Sequence, residues 1–251
     1  MPKVLLEVCC GSAEDVIQAE RGGADRAELN ASLVSGGLTP TIGALSVAKR
    51  HCSIPILTMV RPRAGGFCYT PIEFEVALRE AELLLEHGAD GLVFGFLHED
   101  GTVDAPRCRE MIRRADGRPC VFHRALDVVP DWKRALDTLI SLGVTRVLTS
   151  GQQSSALLAL ETLREMIEYA AGAIEILPGA GIRRENVRRV VEATGASQVH
   201  LSARRTLCDP SASGNPRIHY GAALYAPEDR FEQTDASLVR ELRALLTEEH
   251  L

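Results

Sequence analysis

Short apolar runs recur along the chain at intervals of roughly 20 to 35 residues, the length of a βα unit. Each run is bounded by turn residues and is typical of a strand that is covered on both faces. The stretches between the runs carry apolar residues at helical spacing, which predicts amphipathic helices. The predicted strands are 4–9, 26–29, 56–60, 91–94, 120–122, 146–148, 174–177 and 198–201.

A turn that begins with glycine repeats before several of these strands. The copies are Gly23-Ala24-Asp25-Arg26, Gly88-Ala89-Asp90-Gly91, Gly143-Val144-Thr145-Arg146 and Gly195-Ala196-Ser197-Gln198. Glycine just past a helix end adopts the left-handed conformation easily, so each copy indicates a helix end, a turn and the next strand. Eight such units within 251 residues predict an α/β fold, a (β/α)8 TIM barrel with a single domain over 1–251.

The alternative fold is a doubly wound open sheet. It would need a Gly-rich fingerprint after the first strand, and Cys9-Cys10-Gly11-Ser12 is not one. The segment 206–232 breaks the repeat with Pro, Ser and Gly, which predicts a long loop after the eighth strand. Such a loop would either cover the barrel mouth or form a poorly ordered surface excursion. A last helix is expected near 235–248.

Charge and cysteine content narrow the class of protein further. A net charge of -6 and a pI near 5.7 argue against nucleic acid as a partner, because phosphate binding needs a basic field. No apolar run approaches the roughly 20 residues that span a bilayer, and the amino terminus shows no signal peptide. The odd number of cysteines, 7, does not indicate a disulfide framework. A cytoplasmic protein with reduced thiols and no membrane partner is the expectation.

Polar side chains concentrate where the predicted strands end, and that edge of a barrel carries function. Glu7 and Glu28 belong to neighbouring strands, where two carboxylates could hold a proton, a cation or the arginine Arg61. A buried Glu–Arg pair that only orders the barrel is the alternative. His123 and His200 end the fifth and eighth strands and are candidate acid–base groups or soft-metal ligands. The predicted catalytic residues are Glu7, Glu28, Arg61, His123, Asp127 and His200.

Glycine-rich turns and arginines at the same edge predict a site for an anion. Arginine forms bidentate hydrogen bonds with carboxylate or phosphate, and the backbone N–H groups of small-residue loops form anion nests. The same arginines could pair within the protein, and small residues also permit tight turns without a ligand. The predicted anion-binding residues are Arg63, Gly151, Gly179, Gly181 and Ser202. Cys9 shares the strand face of Glu7 and is a candidate metal ligand, although a lone cysteine is more often a small buried residue.

Several motifs in their order along the chain resemble the CutC family. They include the runs 6–9 (LEVC), 21–29 (RGGADRAEL), 36–40 (GGLTP), 61–63 (RPR), 66–69 (GFCY), 122–127 (FHRALD), 147–151 (VLTSG) and 179–181 (GAG). The resemblance extends from about Leu5 to about Arg204. It implies a cytoplasmic TIM-barrel protein that is named for copper homeostasis, with some members described as binding Cu(I) and as forming oligomers.

The resemblance also implies two copper-ligating cysteines, and this chain departs from it at one of them. The two positions correspond to Cys9 and Asn30, and an amide oxygen is a poor Cu(I) ligand. Three hypotheses follow: a Cu(I)-binding protein, an isomerase or lyase acting on a small anionic metabolite such as a sugar phosphate, and a non-catalytic scaffold. The expected partners are a small anionic ligand or a copper ion, together with further copies of the chain in a dimer or tetramer.

Overall fold

Eight parallel strands form the centre of the protein, as the computed structural model shows for residues 3–215, 217–220 and 228–247. They pair in the order β7-β6-β5-β4-β3-β2-β1-β8, so neighbours in sequence are neighbours in space. The strands are β1 (Leu5–Cys10), β2 (Arg26–Leu29), β3 (Ile56–Met59), β4 (Gly91–Phe94), β5 (Cys120–Phe122), β6 (Arg146–Thr149), β7 (Glu175–Pro178) and β8 (Gln198–Leu201). This topology is a (β/α)8 barrel, and the predicted fold is confirmed.

Helices connect the strands and cover the outside of the barrel. They are α1 (Ala13–Arg21), α2 (Ile42–His51), α3 (Pro71–Glu86), α4 (Ala105–Ala115), α5 (Trp132–Ser141), α6 (Leu160–Ala170), α7 (Val187–Thr194) and α8 (Ala236–Thr247). Local sequence signals fix where they begin. Thr70 and Glu73 form a capping box at α3, in which each side chain satisfies the other's backbone N–H.

Two kinds of side chain fill the barrel interior. Leucine, valine and methionine side chains from β3 to β7 form an apolar cluster separate from the core between strands and helices; its members are Leu57, Met59, Val93, Val121, Leu148 and Leu177. Buried charged side chains come from β1, β2 and β8, with one more, Arg146, from the start of β6. The interior is therefore divided into an apolar side and a polar side.

The barrel closes between β7 and β8. Gln198 Nε2 on β8 donates to Glu175 Oε2 on β7 over 3.2 Å. A side-chain carbon added at Gly179, just after β7, would lie 2.6 Å from Leu148 Cδ1 on β6. The lack of a side chain at Gly179 therefore leaves room for Leu148 in the barrel interior.

The segment after β8 differs from the predicted loop over 206–232. It begins with β9 (Arg204–Cys208), which pairs antiparallel with β10 (Arg230–Thr234). Both strands are mostly exposed and polar, and Pro, Ser and Gly residues lie between them, so no apolar run marks them in the sequence. Position 216 and positions 221–227 of the predicted loop, and position 248 of the predicted last helix, lie outside the described residues. No helix among the described residues is long and apolar enough to cross a membrane.

Candidate active site

A cavity of ≈ 640 Å³ opens at the carboxyl ends of the strands. Most of the residues predicted from sequence line it: Cys9, Glu28, Arg61, His123, Asp127, Gly181, His200 and Ser202. Glu7, Arg63, Gly151 and Gly179 lie outside the lining. The strand ends therefore converge on one cavity, but four of the candidate residues do not line it.

Glu7 lies beneath the cavity between two cationic groups. Its carboxylate accepts a hydrogen bond from Arg26 Nε through Oε2, and its Oε1 lies 2.7 Å from His200 Nδ1. Burial would raise the pKa of Glu7, but the hydrogen bond from His200 and the charge of Arg26 outweigh it and lower the pKa to about 2. Glu7 is therefore an anion that orients His200, and its arginine partner is Arg26 rather than Arg61.

His200, Glu28 and Cys9 form a cluster in the cavity wall. One ligand atom from each of the three lies within 4.8 Å of the others. Burial would lower the pKa of His200, but the charge of Glu28 and the hydrogen bonds to Cys9 and Glu7 raise it well above its usual value. Burial, with Glu7 nearby, raises the pKa of Glu28. Histidine and carboxylate are therefore adjacent groups that can exchange a proton.

Asn30 holds the two acidic members of this cluster. Its Nδ2 donates to Glu28 Oε1 over 2.9 Å and lies 3.7 Å from Cys9 Sγ. Glu28 Oε2 is buried and has no hydrogen-bond partner among the described residues. Gly37 has a φ of +85°, and a side-chain carbon there would lie 2.5 Å from Asn30 Oδ1. Only glycine at position 37 leaves room for the amide in this position.

A second set of polar contacts fills the floor of the barrel. Arg26 Nη2 donates to Gln198 Oε1 over 2.9 Å, and Arg146 Nε donates to Glu175 Oε2 over 2.7 Å. Together with the Gln198–Glu175 hydrogen bond, these contacts link the strand starts to Glu7. Sequence reasoning missed Arg26 and Arg146, although a charged residue at the start of an apolar strand was a usable signal.

His123 faces the cluster's cavity as a neutral imidazole. Its Nδ1 accepts a hydrogen bond of 3.1 Å from the backbone N–H of Ala125, so Nε2 carries the proton. Burial, and then the positive charges of Arg61 and Arg124, lower the pKa of His123 to about 3. Nε2 is buried without a hydrogen-bond partner among the described residues. His123 can thus donate a hydrogen bond to a bound molecule at neutral pH.

Arg61 organises two of the loops around the mouth. Its Nη1 donates to the backbone oxygens of Ser35 and Gly37 over 3.0 Å each, and Nη2 donates to Gly65 O over 2.8 Å. The guanidinium also lies 5.4 Å from the ring centroid of Phe67. Most of its donors are therefore committed to the loops after β2 and β3, and Nε is the buried donor without a partner in the described chain.

Phe67, in the loop after β3, packs against the imidazole of His123. The phenyl and imidazole ring centroids are 4.8 Å apart, with the ring planes tilted by 51°. Phe67 lines the cavity, and Leu97 donates its backbone N–H to Phe67 O over 3.0 Å. An apolar ring above His123 excludes water from that histidine, which agrees with the lowered pKa.

Arg63 is directed away from the cavity. It donates to Glu73 Oε1 over 2.6 Å and to the backbone oxygens of Ala64, Gly66 and Cys68. The hydrogen bond to Glu73 raises its pKa. These contacts leave it the role of shaping the loop after β3, which is the internal pairing that the sequence left open.

Asp127 ties the loop after β5 to the loop after β6. Its carboxylate accepts from Thr149 Oγ1 over 2.6 Å, from Ser150 Oγ over 2.8 Å and from Ser150 N over 2.9 Å. It also accepts from Arg124 Nε over 2.7 Å. A carboxylate with this many donors is a structural clamp in the cavity wall. Gly151 continues the same loop with a φ of +71° and hydrogen-bonds Thr149 rather than the cavity.

The loops after β7 and β8 present unpaired donors to the cavity. The backbone N–H groups of Ala180, Gly181 and Ile182 have no hydrogen-bond partner within the described part of the chain. Ala180 has a φ of +72°, which is unusual for a residue other than glycine. Arg183 and Arg204 line the cavity beside Ser202, and neither side chain forms an ion pair with any described residue. The sequence places Arg204 in the predicted anion loop after the eighth strand without selecting it as a ligand, and it gives no indication of Arg183, which follows the loop after the seventh.

The protein is a (β/α)8 barrel, and its polar cavity lies at the carboxyl-terminal mouth, where barrels of this class carry their functional sites. The CutC family model matches residues 4–205. The chain belongs to the CutC family.

Named relatives and a solved structure agree with this assignment. A CutC family protein of Treponema denticola is 50% identical over 92% of this chain and 94% of its own length. The human copper homeostasis protein cutC homolog is 44% identical over 96% of this chain and 88% of its own. The crystal structure of a CutC protein from Streptococcus agalactiae covers 79% of this chain and 98% of its own, with 30% identity and a TM-score of 0.76.

The donor atoms of the cluster do not suit the Cu(I) ion that the family resemblance implies. Cu(I) prefers two or more soft sulfur ligands, and Cys9 supplies one. Glu28 adds a hard carboxylate, and Asn30 occupies the position of the second implied cysteine with an amide whose N–H points toward Cys9 Sγ. These sulfur, oxygen and nitrogen donors therefore suit a proton, or a metal ion that accepts mixed ligands, better than they suit Cu(I).

Proposed function

We propose that the protein is an enzyme that binds a small anionic metabolite in the barrel mouth and catalyses proton transfer on it, as an isomerase or a lyase. The observation that carries this proposal is the pair of unlike proton-exchanging groups in one cavity. His123 is a neutral hydrogen-bond donor, and Glu28 beside His200 is a carboxylate with a raised pKa and a free oxygen. Groups whose environments separate their pKa values are typical of acid–base catalysis.

His123 is suited to polarising a substrate oxygen. Because Nδ1 is held by the backbone, the Nε2 proton has a fixed direction into the cavity. The pKa of a neutral imidazole N–H is closer than that of an imidazolium to the pKa of a developing enolate. A neutral imidazole is therefore the better matched hydrogen-bond donor to an oxygen that gains negative charge. His123 therefore has the role of electrophile and acid.

Glu28 is the group that would accept the proton. Its Oε1 is fixed by Asn30, and Oε2 is buried, free and part of the cavity wall. Burial raises its pKa toward the range where a carboxylate can take a proton from carbon and return it. His200, held by Glu7, then balances the charge of the carboxylate.

The anionic part of the metabolite would lie on the β7–β8 side. The free N–H groups of Ala180, Gly181 and Ile182, the hydroxyl of Ser202 and the side chains of Arg183 and Arg204 surround that part of the cavity. Backbone N–H groups and arginines are the usual donors to phosphate and carboxylate. Gly179, immediately before this loop, serves by its small size rather than by contact with the ligand.

A ligand screen followed by proton exchange tests the proposal. Thermal shift with a library of sugar phosphates and hydroxy or keto acids should give a stabilising ligand, and the Arg183→Ala, Arg204→Ala double variant should lose that shift. Arg189→Ala removes one positive charge from an exposed position on α7 and should keep the shift. With the ligand in D2O, NMR should show deuterium entering at carbon, and His123→Asn or Glu28→Gln should slow this by at least about a hundred-fold. No ligand from such a library, or exchange unaffected by these variants, would remove the proposal.

Copper handling is the second candidate, favoured by one observation. The Cys9 thiol and the His200 imidazole line the same cavity and could provide two ligands for Cu(I). The names of the relatives point the same way, whereas Glu28 and Asn30 weigh against it. Titration of the reduced protein with Cu(I) tests this candidate, and a stoichiometry that Cys9→Ser leaves unchanged would exclude Cys9 as its ligand.

A further inference from the structure

Cys9, Glu28 and His200 direct one sulfur, one oxygen and one nitrogen atom to a common region of the cavity wall, all within 4.8 Å of one another. We propose that this cluster binds a divalent transition-metal ion of the Zn²⁺ type, with one coordination position open to the cavity. Three protein ligands with one open position is the arrangement of catalytic zinc sites. The inference goes beyond the proposed function, because it concerns an ion bound in the absence of any metabolite. The ion would occupy the Glu28 oxygen that the proposed function uses as a base, so the two roles of Glu28 exclude each other at any one moment.

The neighbouring residues hold two of these ligands as metal ligands are held. Glu7 Oε1 fixes His200 through Nδ1 at 2.7 Å, which leaves Nε2 available. Asn30 Nδ2 fixes Glu28 through Oε1 at 2.9 Å, which leaves Oε2 available. Carboxylates behind a ligating histidine, and hydrogen bonds to ligating carboxylates, are regular features of metal sites.

Glu28 Oε2 gives an independent indication of a missing cation. Glu28 is only 2% exposed, and this oxygen has no hydrogen-bond partner among residues 3–215, 217–220 and 228–247. A buried carboxylate oxygen without a partner is costly, and a bound cation removes that cost. The oxygen belongs to a side chain that lines the cavity, which is the side from which an ion would approach it.

The charge of the site favours a divalent ion over Cu(I). A metal ion on Nε2 displaces the extra proton of His200 and leaves the imidazole neutral. The carboxylates of Glu7 and Glu28 and a metal-bound Cys9 thiolate then face the guanidinium of Arg26, which is paired with Glu7. Two negative charges remain, and a divalent ion balances both, whereas Cu(I) would leave one of them buried without compensation. The mixture of sulfur, nitrogen and oxygen ligands also suits Zn²⁺ better than a monovalent soft ion.

The distances require a small closure. Ligand atoms around tetrahedral zinc are about 3.3–3.8 Å apart, as bond lengths of about 2.0–2.3 Å dictate. The separations here extend up to 4.8 Å, so the side chains would draw together by about 1 Å.

Metal binding by the reduced full-length chain tests the inference. Equilibrium dialysis with Zn²⁺, read by elemental analysis, should give about one ion per chain. Co²⁺, used as a coloured probe, should show a thiolate-to-cobalt charge-transfer band that Cys9→Ser abolishes. Glu28→Gln, which keeps the shape of the side chain, should weaken Zn²⁺ binding by at least about ten-fold. Cys68→Ser, at an exposed thiol outside the cluster, should retain both signals.

Circular dichroism of each variant separates loss of the ligand from loss of the fold. Zn²⁺ binding that is absent from the folded wild-type chain, or that neither Cys9→Ser nor Glu28→Gln reduces, would overturn the inference. So would binding of Cu(I) that depends on Cys9 but persists in Glu28→Gln while Zn²⁺ is not bound. Because no metabolite enters these measurements, their failure leaves the proposed acid–base function to its own test.

Discussion

His200 Nδ1 and Glu7 Oε1 lie 2.7 Å apart in the barrel interior, where β1 and β8 pair side by side with Glu7 directly opposite His200. Glu7 is also opposite Arg26 on the other neighbouring strand, so one carboxylate serves two cations. The strand register alone creates this arrangement. Glu7 is therefore the residue through which the barrel floor is coupled to the cavity wall.

Replacing Glu7 with glutamine should be costly to stability. The substitution leaves Arg26 and His200 buried with less negative charge to balance them, so the free energy of unfolding should fall by about 3–5 kcal/mol. Urea denaturation followed by circular dichroism measures this change. Glu185→Gln, at an exposed position, should stay within about 0.5 kcal/mol of wild type. A similarly small loss for Glu7→Gln would show that the pair contributes little.

His123 should give the protein a specific dependence of stability on pH. Its pKa falls from 6.5 in the unfolded chain to about 3 in the fold, so the unfolded state binds the proton first. The contribution of His123 is complete above pH 6.5 and is lost as the pH falls from there toward 3, at about 1.4 kcal/mol per pH unit. His200 has the opposite sign: the stability that its raised pKa contributes is present below 6.5 and is lost as the pH rises through the folded value.

Comparing wild type with His123→Asn isolates the first of these two effects. Asparagine can still accept the Ala125 N–H but has no group that titrates. The difference in free energy of unfolding between wild type and variant should therefore turn against wild type as the pH falls from 6.5 to 4.5. His51→Asn, on the exposed end of α2, is the matched control. A difference that stays constant over this range would contradict a buried neutral His123.

A methyl group at Gly37 should damage the site as well as the backbone. Gly37 and Gly88 have φ values of +85° and +95°, so alanine costs about 1 kcal/mol in backbone strain at either position. At Gly37 the new carbon would lie 2.5 Å from Asn30 Oδ1, whereas at Gly88 the nearest atom is Lys49 Cγ at 3.7 Å. Gly37→Ala should lose about 1–3 kcal/mol more than Gly88→Ala in chemical denaturation. Equal losses would show that the Asn30 amide is free to move.

A thiol at position 30 should complete the pair of cysteines that the family resemblance implies for Cu(I). Asn30 Nδ2 already lies 3.7 Å from Cys9 Sγ, so a cysteine there would place two sulfur atoms near each other. Asn30→Cys should raise Cu(I) affinity by at least about a hundred-fold in a competition assay with a chromophoric chelator under reducing conditions. Asn30→Ser is the control without a second thiol. Wild-type protein that already binds Cu(I) as tightly as Asn30→Cys would contradict the poor fit of its donors.

The fold could be predicted because the strands have a simple signal. Buried parallel strands are short apolar runs, and their spacing by helices is regular, so the predicted strands coincide with the observed ones to within a residue or two. The β9–β10 hairpin carries no such signal, since its strands are exposed and mostly polar. Its existence depends on pairing across a long loop, which a local pattern does not reveal.

The position of the site could be predicted, but not the partners of its residues. Histidines and acids after apolar strands identified the cavity, whereas the choice of Arg26 rather than Arg61 for Glu7 depends on strand register. Arg61 instead donates to the backbone oxygens of loops, and such acceptors exist at every residue of a sequence. Residue types and their spacing therefore do not show which side chains hydrogen-bond to the backbone of a folded loop.

Hydrogen bonds around the cavity mouth connect six of its loops into two groups, which we call arcs. Arg61 and Phe67 join the loops after β2, β3 and β4, while Asp127 and the Ala156–Ala180 hydrogen bond join those after β5, β6 and β7. A loop tied to its neighbours cannot fold over a ligand alone. Entry and release of a ligand would therefore require one arc to move as a unit away from the other. Removing one of these hydrogen bonds between loops should change the residence time of a ligand more than it changes the contacts that the bound ligand makes.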